Sequence, residues 1–276
     1  MREFEVSRLL DTRTVSVRNV ICRGTCRHRS AEECASSLHF VFPYRGVYLR
    51  HVGSDQTVAD ANHVLLFNRD EAYQVSHPLS GDDASLDVSF SEDLVRELAP
   101  ARLLKRDAEP AFLHQHLRID PRAQALVALL RHSLQNGAVD PLEAESLTLS
   151  LAAQSLGPRT AHEPRATVAR RKLVDRVKVL LASDLSRRWA LAEIAAEIGG
   201  SPVYLTQVFQ QVEGLPLYRY HLRLRLARSL DLLADDEDIT ALALSLGFSS
   251  HSHFTAAFRQ TYGRSPSAFK RAALSH

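Results

Sequence analysis

The spacing of apolar residues changes along the chain, and each change predicts a different kind of element. Between Thr14 and Phe90 the apolar positions come in short runs: "TVSVRNVIC", "LHFVFPYRGVYLRHV", "HVLLFNRDEAYQV" and "ASLDVSF". They partly alternate, favour Val, Phe, Tyr and Leu, and are bounded by Gly, Pro, Asp and Asn, which predicts strands. Several strands in fewer than about 100 residues predict a small sandwich or barrel. "SEDLVRELAP" reads as a helix start capped by Ser91. From Pro121 the period becomes helical. "PRAQALVALLRHSLQNG" places Leu126, Leu129 and Leu130 on one face, and "DPLEAESLTLSLAAQSLG" does the same with Leu147, Leu151 and Ala152. Asn136-Gly and Asp140-Pro interrupt the pattern and predict a helical hairpin whose second helix has an Asp cap and a proline start. Residues 1–156 are therefore expected to be α+β. Residues 157–167, "GPRTAHEPRAT", show no periodicity and predict a linker.

Beyond the linker the pattern is helical throughout, and it repeats. "LAEIAAEIGGSPVYLTQVFQQVEG" aligns with "ITALALSLGFSSHSHFTAAFRQTYG". Ile194, Ala195, Ile198 and Gly199 match Leu242, Ala243, Leu246 and Gly247 at a 48-residue offset. Leu205, Phe209 and Gly214 match Phe254, Phe258 and Gly263 at 49, so one residue is inserted in the turn. Each copy is an amphipathic helix, a glycine turn and a second helix opened by a Ser cap, Ser201 in one and Ser249 or Ser250 in the other. That order is a helix-turn-helix, in which the second helix enters the DNA major groove by its N-terminal half. With Leu205, Val208 and Phe209 turned inward, Val203, Thr206, Gln207 and Gln210 are left outside. With Phe254, Ala257 and Phe258 inward, His251, Ser252, Thr255 and Ala256 are displayed, next to Ser250. Between the copies Leu222, Leu226, Leu230 and Leu233 recur at helical spacing, with Arg223, Arg225 and Arg228 interleaved. One long helix would hold the two units at a set separation, ~34 Å if they read successive major grooves.

The stretches "LAEIAAEIGGSPVYLTQVF", "RLRLARSLDLL", "ITALALSLGFSSHSHFTAAFR" and "YGRSPSAFKRA" make the last hundred or so residues resemble the AraC/XylS family of transcription regulators. The resemblance implies a bipartite DNA-binding domain, here residues 168–276. It also implies an N-terminal sensing or dimerising domain, here 1–156, often a cupin-like β-barrel. The implied partners are double-stranded promoter DNA, RNA polymerase, a small-molecule effector and a second copy in a homodimer, with an activating role. The family often places Arg or Lys where this chain has Ala256, so less direct base readout is expected from the second unit. Arg259, Arg264 and Lys270 suit phosphate contacts. Leu129, Leu147 and Leu151 lie in stripes broader than a two-helix hairpin needs, which suggests dimerisation through 121–156. Packing of the hairpin on its own barrel is the alternative.

Charge supports the division. Residues 168–276 hold 15 Lys and Arg against 10 Asp and Glu, whereas the remainder is slightly acidic. A basic C-terminal part suits a polyanion partner. No apolar run approaches the ~20 residues that span a bilayer, and the charged start "MREFEVSRLLDTRT" lacks a secretory core. A cytoplasmic protein without a membrane partner is expected. Cys22, Cys26 and Cys34, an odd and clustered set, are a poor disulfide framework. They are candidate ligands for zinc or another soft metal ion. Their spacing is not that of a zinc ribbon, and cysteines scattered around a loop is the simpler reading. His39, His51, His63 and His77 fall where a cupin metal centre would lie, and His114-x-His116 forms a pair in an apparent loop. No H-x-H with a following Glu accompanies the four, and no G-x-S-x-G, P-loop or dinucleotide fingerprint occurs. No catalytic residue is assigned. The competing function is a cupin-type or metal-dependent enzyme or sensor that uses the helical domain for targeting to DNA.

Overall fold

The computed structural model describes residues 4–24, 27–79, 82–106, 109–157 and 166–274. Nine strands come first: β1 (Phe4–Asp11), β2 (Val15–Cys22), β3 (Glu33–Cys34), β4 (His39–Arg45), β5 (Tyr48–Val52), β6 (Asp55–Ala59), β7 (His63–Phe67), β8 (Ala72–Ser76) and β9 (Asp83–Phe90). Helix α1 (Glu92–Leu98) and strand β10 (His116–Arg118) lead into α2 (Pro121–Gln135) and α3 (Pro141–Leu156). The remainder is helical: α4 (Val168–Ser183), α5 (Leu191–Ile198), α6 (Pro202–Glu213), α7 (Leu217–Leu232), α8 (Ile239–Ser245), α9 (His251–Tyr262) and α10 (Pro266–Leu274).

The strands form two antiparallel sheets, ordered β1-β2-β9-β4-β7-β10 and β3-β8-β5-β6. The cupin-like expectation thus takes the form of two open sheets, which together line a cavity of about 300 Å³. Strands β4 and β7 are buried almost end to end because the larger sheet is covered on both faces. Phe40, Phe42, Val64 and Leu66 point into a core shared with Val127, Leu130, Leu151 and Ala152 of the helical hairpin. The alternate residues Val41, Leu65 and Phe67 meet Tyr48 and Ala59 of the smaller sheet. This is why the sequence there alternates only in part: a strand covered on both faces has no polar side.

Some elements differ from the sequence reading. The charged stretch Phe4–Asp11 is a strand at the sheet edge, paired with β2. Ser91 occupies the cap position of α1 but makes no side-chain cap hydrogen bond. His116 lies in a strand rather than a loop, paired with Leu65. The cap expected on the second hairpin helix forms, with Asp140 accepting the N–H of Glu143, and Asp120 caps the first helix in the same way through the N–H of Ala123. Its leucines diverge, however. Leu126, Leu147 and Leu151 serve the sheet core, while Leu129 packs with Ala125 and Ala128 against the C-terminal helices. The breadth that suggested a dimer face is thus used within the chain, because α2 lies between the sheets and the last helices.

Buried charges join the two halves. Lys178 on α4 pairs with Glu213 on α6 at 2.5 Å, and Glu213 also faces His63 of β7 at 3.4 Å. His63 Nδ1 lies 2.9 Å from Asp60, whose carboxylate accepts the hydroxyl of Tyr220 on α7. Burial alone would raise the Glu213 carboxyl, but Lys178 and His63 hold it well below the usual range. Burial and Lys178 would lower His63, yet Asp60 and Glu213 keep it above its ordinary value. A second cluster surrounds Asp231 of α7, which meets Arg45 of β4 at 2.9 Å, Arg131 of α2 at 2.7 Å, and Arg228.

Two outcomes follow from these clusters. Lys178→Met should leave Glu213 with His63 as its remaining partner and cost up to roughly 3–5 kcal/mol in urea unfolding, and the double change with Glu213→Met should recover much of it. His116 is pushed to about 3 by burial and by His63 and Lys178, against the opposing pull of Glu213. An unfolded histidine titrates near 6.5. Between pH 6.5 and about 3 the unfolded chain therefore takes up a proton that native His116 refuses, and stability falls as the pH falls. His116→Gln should flatten the melting temperature against pH in that window; an unchanged slope would show that His116 is not held neutral.

Candidate nucleic-acid interface

The repeated pattern folds as two helix-turn-helix units, α5–α6 and α8–α9, whose helices begin at the same offsets as the sequence repeat. Each second helix opens on a serine cap. Ser201 Oγ accepts the N–H of Tyr204 at 3.2 Å, and Ser250 Oγ accepts that of His253 at 3.1 Å. Ser250 is therefore the cap in the second unit, and Ser249 instead meets His253 Nδ1 at 3.0 Å. The cap satisfies a backbone donor that would otherwise lack a partner in the first turn.

The inward residues are those expected. Leu205, Val208 and Phe209 are buried in one core, and Phe254, Ala257 and Phe258 in another. The outward set follows from them. Val203, Gln207 and Gln210 are exposed on α6, with Thr206 half-buried and its hydroxyl donating to Val203 O at 2.8 Å. On α9 His251, Ser252, Ala256 and Arg259 are exposed, while Thr255 is half-buried with Oγ1 3.5 Å from His251 Nε2. Arg264 is exposed after α9, whereas Lys270 is half-buried and donates to Asp236 O at 2.7 Å, tying α10 to the loop after α7. The sequence reading missed Tyr204 and His253. Both are exposed in the first turn of their helices, where only the residue at the fourth position turns inward.

Helix α7 holds the units together. Tyr220, Leu224 and Ala227 belong to the first core, and Leu226, Leu230 and Leu233 to the second. Arg225, one of the interleaved arginines, has a specific task. Its guanidinium donates to the carbonyls of Leu185 at 2.6 Å and Arg187 at 2.7 Å, in the loop before α5, and to Gly247 O at 3.5 Å in the second turn. Arg188 reaches the same Gly247 carbonyl at 3.4 Å. Gly247 has φ +80, and a Cβ there would stand 2.1 Å from Ser186 O, so the loop of one unit rests against the turn of the other where only glycine fits.

The candidate metal and enzyme residues disperse. Cys34 is exposed on β3, Cys26 lies outside the described residues, and Cys22 is buried beside His77 and Asp83. The candidate Cys22–Cys34 grouping does not form, since Cys22 is buried among other side chains while Cys34 faces outward, in line with the simpler reading of scattered cysteines. His39 stacks on Phe67 at 4.6 Å, and burial pushes it to about 4. His51 Nε2 lies 2.9 Å from Ser76 Oγ, and His63 belongs to the buried charge cluster. The four histidines thus share no centre.

A family model described as a helix-turn-helix domain matches residues 194–272. A probable transcriptional regulator, LumQ of Photobacterium leiognathi, is 28% identical over 71% of this chain and 75% of its own length. The transcriptional activator RhaR of Klebsiella pneumoniae is 28% identical over 54% of each chain, so the match spans only about half of that relative. The transcriptional regulator GadX of Escherichia coli is 25% identical over 82% of this chain and 79% of its own length. Among solved structures, an AraC-type transcriptional regulator from Chromobacterium violaceum is 25% identical over 40% of this chain and all of that one, with a TM-score of 0.37. ToxT of Vibrio cholerae is 13% identical over the whole of both chains, also with a TM-score of 0.37. Among the described residues no helix is long and apolar enough to cross a membrane.

The contact between the units gives a stability test. Gly263 also has positive φ, but nothing lies within 4 Å of the Cβ it would gain. Gly263→Ala should cost only backbone strain, ~1 kcal/mol, whereas Gly247→Ala should cost more than the ~1–3 kcal/mol of such strain. Equal losses in thermal or urea unfolding would mean that the Ser186–Gly247 contact is not tight.

Proposed function

We propose that this chain is a transcription regulator of the AraC type, and that it engages promoter DNA through both helix-turn-helix units. The carrying observation is that two helix-turn-helix units sharing one central helix both display a polar face at the start of the second helix. Such a face presents hydrogen-bonding groups to base edges in the major groove. Gln207 and Gln210, with Thr206 beside them, lead the readout, since Gln pairs bidentately with adenine. Val203, 66% exposed at the helix tip, suits a thymine methyl. In the second unit His251 and Ser252 are the base readers, while Ala256 leaves a gap in the hydrogen-bonding face. Arg259 and Arg264 meet phosphates, which positions the protein without conferring sequence preference. The relatives described above are named as regulators and activators, and the enzyme reading finds no counterpart among them.

Residues 1–156 then act as the sensing domain, 168–276 as the DNA-binding domain, and 157–167 as their link. A small-molecule effector fits the cavity between the sheets, where Val20, Val41 and Tyr48 form apolar wall and Asp87, pushed up to about 6 by burial, offers a carboxyl group. Activation implies contact with RNA polymerase, and a promoter regulator works in the cytoplasm. Two protomers on one promoter would multiply specificity. With the α2 leucines engaged internally, the outer face of α3 around the exposed Leu142 is the surface left for a homodimer.

Selection of the full-length protein against random duplex DNA should yield a defined recognition sequence; no enrichment would refute the reading. Gln207→Ala should lose ~1–3 kcal/mol of discrimination at one base step and leave the other steps intact. A uniform loss over all sequences would make Gln207 a backbone contact. Arg259→Ala should instead weaken binding evenly and lower the slope of log affinity against log salt by ~0.9.

A further inference from the structure

One cluster of metal-binding groups lies away from the DNA-facing surface, in the wall of the cavity between the sheets. Cys22 ends β2 and Asp83 begins β9, and the two are direct cross-strand partners. His77 follows β8 of the other sheet and brings its ring to the same point. All three are buried, and one ligand atom from each lies within 4.8 Å of the others. Cys22 Sγ is 3.6 Å from His77 Nε2. Zinc–sulfur and zinc–nitrogen bonds of about 2.3 and 2.0 Å in a tetrahedron place the two ligands about 3.5 Å apart. The observed pair therefore needs almost no movement to share an ion.

The N–H of Gly24 donates to Cys22 Sγ at 3.4 Å. His77 Nδ1 lies 2.7 Å from Asp83 Oδ2 but off the line of an N–H bond, so this buried nitrogen makes an ion-pair contact and no hydrogen bond. A buried thiol, imidazole and carboxylate brought together are a poor apolar wall and a good donor set. Sulfur, nitrogen and oxygen donors together favour a borderline-soft ion over magnesium or calcium.

We propose that Cys22, His77 and Asp83 bind a thiophilic divalent metal ion of the zinc type, with its fourth coordination position open to the cavity. The ion staples β2 and β9 of the larger sheet to the segment after β8 of the smaller one. A cavity ligand with a nitrogen, oxygen or sulfur donor can complete its coordination. Cys34, exposed on β3, takes no part. The site belongs to the sheets and stands whether or not the base contacts proposed above are right.

The test uses the full-length chain, stripped with a chelator and titrated with cobalt(II). One equivalent should give a thiolate-to-cobalt charge-transfer band in the near ultraviolet, and zinc should remove it by displacement. Cys22→Ser should abolish the band and Cys34→Ser should keep it. Asp83→Asn should weaken zinc binding roughly tenfold or more. Because Cys22→Ser alters a buried position, the unaltered chain supplies an independent readout. Zinc should protect Cys22, but not Cys34, from alkylation by iodoacetamide, as mapped by mass spectrometry. The proposal is overturned if no band forms in the unaltered chain, if the band survives Cys22→Ser, or if zinc leaves Cys22 alkylation unchanged.

Discussion

The carboxylate of Asp231 sits almost wholly out of water among three guanidinium groups, and the arrangement of the molecule depends on it. A buried carboxylate is tolerable only where several donors converge on it. Here they come from β4, from α2 and from the same helix α7. Two of the donors, Arg45 and Arg131, belong to other elements, so satisfying Asp231 limits where α7 can sit and how it can turn. The other end of α7 is held likewise, by the Tyr220 hydroxyl on Asp60 and by the Lys178–Glu213–His63 cluster beside it. Hydrophobic contact alone is non-directional and would allow sliding; the buried polar groups set the register.

With α7 so placed, both helix-turn-helix units are placed as well. One side of the helix closes the first core and another side the second. Arg225 then bridges the loop of one unit and the turn of the other through backbone carbonyls, which do not vary with side-chain identity. The two displayed faces are therefore parts of one rigid arrangement. The sheets reach the same helix through Arg45, and the hairpin reaches it through Arg131.

The displayed faces are themselves a consequence of what is hidden. From the turn before α9 along the helix, an edge-to-face series runs from Phe248 through Phe254 and Phe258 to Tyr262, with ring centroids 5.1, 5.6 and 4.7 Å apart. Such pairs favour particular ring orientations as well as burial. They settle the rotation of the helix about its axis, and with it which of His251, Ser252 and Ala256 faces outward. Ser250 completes the geometry by capping the first turn.

The two helix-turn-helix units, their inward residues and their outward residues were legible in the sequence because they rest on periodicity, a local property that states which side of a helix is buried. The caps at Asp140 and Ser201 were legible for the same reason, since a cap and its target are three residues apart. Periodicity does not state what a buried face meets. Leu129 reads like Leu126 and Leu130 but packs on a different core, because α2 is covered on two sides. Lys178 and Glu213 read as ordinary charges on amphipathic helices, and only the approach of α4 to α6 makes them a buried pair. Cys22 pointed along the chain to Cys26 and Cys34, whereas in space its neighbours are His77 and Asp83, which strand pairing and the closing of one sheet over the other bring from more than fifty residues away. The sequence by itself determined the elements and the side each one hides; the tertiary structure decided the partners, because a buried charge or thiol is defined by the groups that surround it and not by those that adjoin it.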